Sequence, residues 1–254
     1  MLRELRPKIK QDPSNVELRF KLAEAHVDHD EWKSALAELD RIEKLAPGKH
    51  PLGYLRGRSL ALAKRWAEAK QELDGFITAF PNHEEAHMWR ARVRIELGDK
   101  EGASEDYRNA CRTSRNPECI TEFAGVLNGQ DRAKESVSIL QDALGRIPND
   151  PALLECLVNS AIKAGDGALA LSSMAALQKS WPRPEIWMRR KAAYLAESGR
   201  KAESEDAWRT LRDHILALPN LERSQPFLTE MLAEAQKALG ENVPKPVIAP
   251  PAGG

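Results

Sequence analysis

The strongest constraint in this sequence is a spacing. Prolines 47 and 81 close apolar segments 34 residues apart, Pro148 follows after 67 (two steps less one), and Pro182 after another 34. Twelve residues before each stands a small residue: Ala35, Ala69, Ser136 and Ala170. Four residues after those come Leu39, Leu73, Leu140 and Met174. A period of this length marks an array of small units, none of which can bury its apolar face alone. Gly98 and Gly165, each followed by Asp, fall where the first helix of a pair should stop. Glycine suits that place because the residue after a helix is usually left-handed.

The residues on this grid resemble the tetratricopeptide repeat, a 34-residue helix–turn–helix unit. Repeat one, 16–49, supplies Leu22, Ala23, Trp32, Ala35, Leu39, Ile42 and Pro47; repeat two, 50–83, supplies Gly57, Leu60, Trp66, Ala69, Leu73, Phe76 and Pro81. Repeat three, 84–116, has Ala91, Gly98, Ala103, Tyr107 and Ala110 but lacks the closing proline. Repeats four, five and six, at 117–150, 151–184 and 185–218, carry the pattern onward, the last more loosely. The expected class is all-α: an α-solenoid of about six helix–turn–helix repeats with a C-terminal capping helix in 219–240. There Phe227, Met231, Ala235 and Leu239 make one apolar stripe. Residues 1–15 suit an N-terminal arm or short helix, and the Pro/Gly-rich stretch 241–254 suits a flexible tail. Small residues such as Ala23, Gly57, Ala91, Ala124 and Ala192 would let paired helices approach, while Leu39, Tyr107 and Trp208 fill the space beside them.

Composition narrows the function. Thirty-eight basic residues balance 38 acidic ones in a chain of 254, which argues against bulk nucleic-acid binding. No apolar run reaches the ~18 residues of a membrane span. The first thirteen residues have charges but no signal-peptide core. A processed secreted chain would look the same, so the compartment stays open between cytoplasm and periplasm or exterior. Three cysteines, Cys111, Cys119 and Cys156, without CxxC spacing, read as small buried side chains rather than a disulfide framework or zinc ribbon.

Motifs with chemical promise fit their context poorly. His83–His87 spells HExxH, which binds zinc when both histidines share one helical face. Here His83 falls in the turn after Pro81, His87 takes a packing position, and Asp106 belongs to the second helix of the repeat. The run His26–Asp30 reads as a helix end, with His26 facing its partner helix. With no nucleophile elbow and no phosphate loop, the expectation is a protein without catalytic residues, metal or cofactor. Arg56 and Arg90 stand where the family usually has Leu, as does Lys191 in repeat six. They are expected to pair within their repeats, Arg56 with Glu72 and Arg90 with Asp106.

The resemblance implies a groove lined by first helices that takes an extended peptide or a partner helix. Its positions carry over to Phe20, Glu24 and Asp28, then Tyr54 and Arg58, then Met88, Arg92 and Glu96. Thr121, Gly125 and Asn128 follow, then Glu155, Asn159 and Lys163, and finally Arg189. Arg58 and Arg92 lie one repeat apart and could hold acidic side chains or a terminal carboxylate. The expectation is a scaffold or adaptor for a protein or peptide ligand, one that could carry acidic residues. RNA binding by helical repeats and self-assembly into a homo-oligomer are the alternatives.

Overall fold

The computed structural model describes residues 2–241, so the tail expected at 241–254 lies outside the described residues except for Glu241. Among the described residues the chain is helical, with no strand, and no helix is long and apolar enough to cross a membrane. It divides into two units, Met1–Arg132 and Ala133–Gly254.

The first unit holds α1 (Leu2–Gln11) and then helix pairs: α2 (Val16–Asp28) with α3 (Trp32–Leu45), α4 (Gly53–Leu62) with α5 (Trp66–Ala79), and α6 (Glu84–Glu96) with α7 (Lys100–Cys111). Helix α8 (Pro117–Gly129) packs on α7. Each helix also packs on the next, and the first helices meet, α2 on α4 and α4 on α6. Helices this short are marginal alone, so their stability comes from the buried seams. One seam joins Ala23, Val27, Ala35, Leu39, Ile42 and Leu55; another joins Leu60, Ala69, Leu73, Phe76 and Val93. At Gly57 the α4–α5 approach is so close that a β-carbon would stand 2.6 Å from Leu73 Cγ.

The second unit runs through α9 (Ala133–Arg146), α10 (Pro151–Ala164), α11 (Gly167–Ser180), α12 (Glu185–Glu197) and α13 (Lys201–Ala217). A one-turn α14 (Asn220–Arg223) and α15 (Pro226–Ala238) end it. The expected single cap is therefore split by Pro226, which begins α15. Leu228 and Ala235 are buried against Met188, Trp208, Leu211 and Ile215, with Phe227, Met231 and Leu239 partly buried beside them. The apolar stripe read from the sequence is present, and Leu228 is its missing member.

The 34-residue step has a backbone cause. One or two residues past the end of each first helix the backbone is left-handed: Asp30, Lys64, Gly98, Asp131, Gly165 and Gly199 all have φ between 58° and 82°. The residue that follows donates its N–H to a carbonyl five positions back, as in Asp99 to Arg94 and Arg65 to Leu60. This closure turns the chain into the second helix. Asn15, Asn116, Asp150 and Asp166 cap helix starts by accepting backbone N–H bonds. Pro47, Pro81, Pro148 and Pro182 stand just past second helices.

Two expectations need correction. Cys111, the last residue of α7, and Cys119 on α8 form a disulfide (Cα–Cα 6.2 Å) across the turn that lacks a closing proline, while Cys156 is the remaining thiol. Both paired residues are buried, as expected, but a helix end facing the next helix start brings them together. The other concerns Arg56, which bonds an acid of the preceding repeat more closely than its own; Arg90 pairs with Asp106 as expected and also reaches the preceding repeat. Arg56 bonds Asp40 at 2.9 Å, with Glu72 at 4.0 Å, and Arg90 bonds Asp74 at 2.8 Å as well as Asp106.

Candidate functional site

In the first unit, α2, α4, α6 and α8 contribute most of the predicted groove residues. Phe20 is half-buried on the α2–α3 seam, while Glu24 and Asp28 are exposed. The Glu24 carboxyl is raised from its ordinary value by burial and by the neighbouring Asp28. Tyr54 packs on Phe76 and His83, with ring centroids 5.7 and 4.8 Å away, and donates its hydroxyl to Glu85. Burial, and then that carboxylate, raise the Tyr54 phenol well above its usual range. Met88 is only 8% exposed, so it serves the interior rather than an open surface. Thr121, Gly125 and Asn128 lie on α8, with Gly125 exposed.

Arg58 and Arg92 do converge, on a residue that the sequence reading missed. Their guanidinium carbons stand 5.3 and 4.7 Å from the centre of the Trp89 ring. Guanidinium over indole is a favourable cation–π arrangement. Arg58 is paired with Asp28 at 3.0 Å. Arg92 grips Glu122 with two bonds, at 2.9 and 2.6 Å, and reaches Glu118 at 2.8 Å. Tyr107 donates to the same Glu122 at 2.8 Å. The charges of both arginines are therefore met by the neighbouring repeats. Beside Trp89 opens a cavity of about 450 Å³, walled by Leu62, Trp66, Trp89, Val93 and Tyr107, with Lys64, Arg92, Glu96 and Glu122 on its polar side. Glu96 is exposed and has no ion-pair partner among the described residues. The available signal was Trp89 itself, an aromatic three residues before Arg92 on one helix.

The histidine motif does structural work. His83 caps α6, its Nδ1 accepting the Ala86 N–H at 3.1 Å. The ring of His87 lies between Asp106 (Nδ1, 3.0 Å) and the Pro81 carbonyl (Nε2, 2.9 Å). Asp106 is 1% exposed and also accepts from Arg90 and Arg94 at 2.6 and 3.0 Å. This buried carboxylate is fully partnered, which is what burial of a charge requires. His26 bonds Glu31 at 2.6 Å, at the end of α2 as expected.

In the second unit, Glu155, Asn159 and Lys163 are exposed on α10. The arginine that reaches them is Arg190: its Nη2 donates to Asn159, and Glu155 lies 3.9 Å from its Nη1. Arg190 also stands over Trp187 at 5.1 Å. The predicted Arg189 points instead to Glu234 on α15, at 2.5 Å. A one-residue step on α12 separates the two directions.

Stacked helix pairs with left-handed corners every 33 or 34 residues define a helical-repeat protein. Residues 54–116 match the family profile described as Tetratricopeptide repeat, and solved structures of tetratricopeptide-repeat proteins share the fold. A tetratricopeptide-repeat and J-domain-containing co-chaperone of Fusarium oxysporum f. sp. lycopersici is 23% identical over 160 residues. That is 60% of this chain but only 31% of the relative, so the chain matches under a third of that protein's length. The C-terminal part of a repeat protein from Cytophaga hutchinsonii superposes with a TM-score of 0.68 at 10% identity, covering 91% of this chain and 93% of its own. YrrB, described as a TPR protein with an unusual peptide-binding site, has a TM-score of 0.55 at 15% identity, covering 74% of this chain and 97% of its own.

Proposed function

We propose that the chain is a noncatalytic scaffold or adaptor that takes a segment of a partner protein along α2, α4, α6 and α8, anchored at Trp89. The observation that carries this reading is the half-buried indole between two guanidinium groups, beside an open cavity of about 450 Å³. Rigid aromatic surface rimmed by charge is the usual make-up of a binding hot spot. Phe20, Glu24, Tyr54, Arg58, Arg92, Glu96 and Asn128 of the first unit would contribute. The fold shared with YrrB supports the reading at the level of architecture.

The charge balance shapes the ligand. Arg58 and Arg92 keep 21% and 25% of their side chains exposed, but Asp28, Glu118 and Glu122 already neutralise them. An acidic ligand residue must compete with those carboxylates, so an apolar side chain entering between Trp66 and Trp89 is the primary contact. The acids of this face, Glu24, Asp28, Glu85, Glu96, Glu118 and Glu122, would repel a phosphate backbone.

The test places a photo-crosslinking residue at Glu96 and compares adducts formed in the source cell by the parent chain and by Trp89→Ala. A discrete protein adduct that persists in high salt and disappears in Trp89→Ala is expected. An adduct unaffected by Trp89→Ala, or one that nuclease and moderate salt remove, refutes the reading.

A further inference from the structure

We propose that the Cys111–Cys119 disulfide controls this face, so that the partner binds the oxidised chain and is released on reduction. The inference rests on the site proposed above. Its basis is where the two sulfurs sit. Repeat three lacks a closing proline at the expected place, and its α7–α8 turn is spanned covalently. Cys111 lies four residues after Tyr107 on α7, and Cys119 three residues before Glu122 on α8. Residues three and four apart share a helical face. The bond therefore joins the helix turns that carry the Tyr107 hydroxyl and the Glu122 carboxylate, which meet at 2.8 Å. Glu122, with Glu118 beside Cys119, holds Arg92 over Trp89.

Without the bond, no covalent cross-link ties the start of α8 to the end of α7, and the Tyr107–Glu122 and Arg92–Glu118 contacts must hold that turn with packing and the Asn116 cap. Loosening that turn moves both carboxylates of Arg92 together and unmakes one wall of the cavity. The chemistry is thiol–disulfide exchange with a dithiol reductant: the chain's S–S bond breaks and two thiols form. The reductant closes its own disulfide, supplying two electrons and two protons. Oxidised glutathione reverses the step and leaves as two thiols. Cys156 is a poor competitor in this exchange, since burial raises its thiol pKa and keeps thiolate scarce.

The experiment uses the full chain, oxidised with glutathione disulfide or reduced with dithiothreitol. Thiols are titrated after unfolding, and backbone hydrogen exchange is followed by mass spectrometry in the native state. Of the three cysteines, one thiol is expected in the oxidised chain and three in the reduced one. Exchange across 117–124 should speed up about tenfold or more on reduction, with 153–162 unchanged. Cys111→Ser/Cys119→Ser should match the reduced chain, and if it fails to fold the reduced parent chain supplies the same comparison. Three thiols after oxidation overturn the proposal, as does a disulfide whose reduction leaves exchange at 117–124 unaltered. The Glu96 crosslink should be lost on reduction. If it survives reduction but not Trp89→Ala, the redox control is wrong and the binding face stands. If it survives Trp89→Ala in the oxidised chain, the binding face itself is wrong.

Discussion

Two glycines in adjacent helices should respond to the same substitution with opposite signs. Alanine at a helix interior gains about 0.5–1 kcal/mol over glycine, because glycine loses more backbone freedom on folding. Gly75, on the exposed side of α5, collects that gain in full, since a β-carbon there meets nothing within 4 Å. Gly57 on α4 does not. Its added carbon would stand 2.6 Å from Leu73 Cγ, 3.0 Å from Leu73 Cδ2 and 3.2 Å from the Ala69 carbonyl oxygen. Leu73 has no exposed surface, so its stem cannot swing aside without moving α5. Overpacking by one methyl costs about 1–3 kcal/mol, which exceeds the backbone gain. Gly57→Ala should therefore destabilise the first unit by about 1–2 kcal/mol, and Gly75→Ala should stabilise it by about 0.5–1. Urea unfolding followed by circular dichroism should separate the two midpoints by roughly 1 M at ordinary m-values. Hydrogen exchange along α4 and α5 would localise the effect. A Gly57→Ala chain as stable as Gly75→Ala would refute the claim that the small residue is required by the helix crossing.

Removing the buried acceptor of repeat three in Asp106→Ala leaves Arg90, Arg94 and His87 facing a void; it should cost about 3–5 kcal/mol in urea unfolding. Arg90→Leu should cost less, because Asp106 keeps Arg94 and His87, and Asp74 keeps Lys70 at 2.7 Å. Lys64 has φ 59°, so Lys64→Gly should raise stability by about 1 kcal/mol, while Gly98→Ala (φ 82°) should lower it by a similar amount. Burial raises the Asp74 carboxyl, but hydrogen bonds from Lys70 and Arg90 outweigh it and hold the group below its ordinary 3.8. A carboxyl lowered on folding stabilises above its unfolded value and loses that contribution as pH falls through the folded one. The gap between the parent chain and Asp74→Asn should thus be wider at about pH 5 than at about pH 3, and an unchanged gap would contradict the pairing.

Fold and site were not equally legible in the sequence. The helix pairs could be read because their determinants are local: a small residue, a large one four positions on, a corner residue, a proline. Two of the three corners that lack glycine follow this logic, since Asp30 and Asp131 are residues that tolerate the left-handed region better than most, whereas Lys64 does not. The site depends on how one repeat is rotated on the next, which no single repeat encodes. That rotation sends Arg190 rather than Arg189 toward Asn159, turns Met88 inward and leaves Trp89 between two arginines. The disulfide did leave a trace, in two cysteines flanking a turn that lacks its closing proline. Spacing alone, with no CxxC, hides such a pair.

The same rotation explains why arginine occupies places where leucine would pack. Asp40, Arg56 and Glu72 recur 34 residues later as Asp74, Arg90 and Asp106. In each set the arginine lies between an acid of its own repeat and one of the repeat before, bonding both at Arg90 and drawing Asp40 closest at Arg56. A leucine could fill one seam, whereas a guanidinium presents donors along two edges and can join three helices. In an array whose stability is a sum of repeat and neighbour terms, such bridges raise the neighbour term and so favour unfolding of the unit as a whole. Arg58 and Arg92 also pair across repeat boundaries, drawing Asp28 from the preceding repeat and Glu118 and Glu122 from the following one. The zero net charge of the chain thus reflects, in the first unit, pairs made across repeat boundaries, and a ligand on this face must displace one of those carboxylates or settle on the indole they leave exposed.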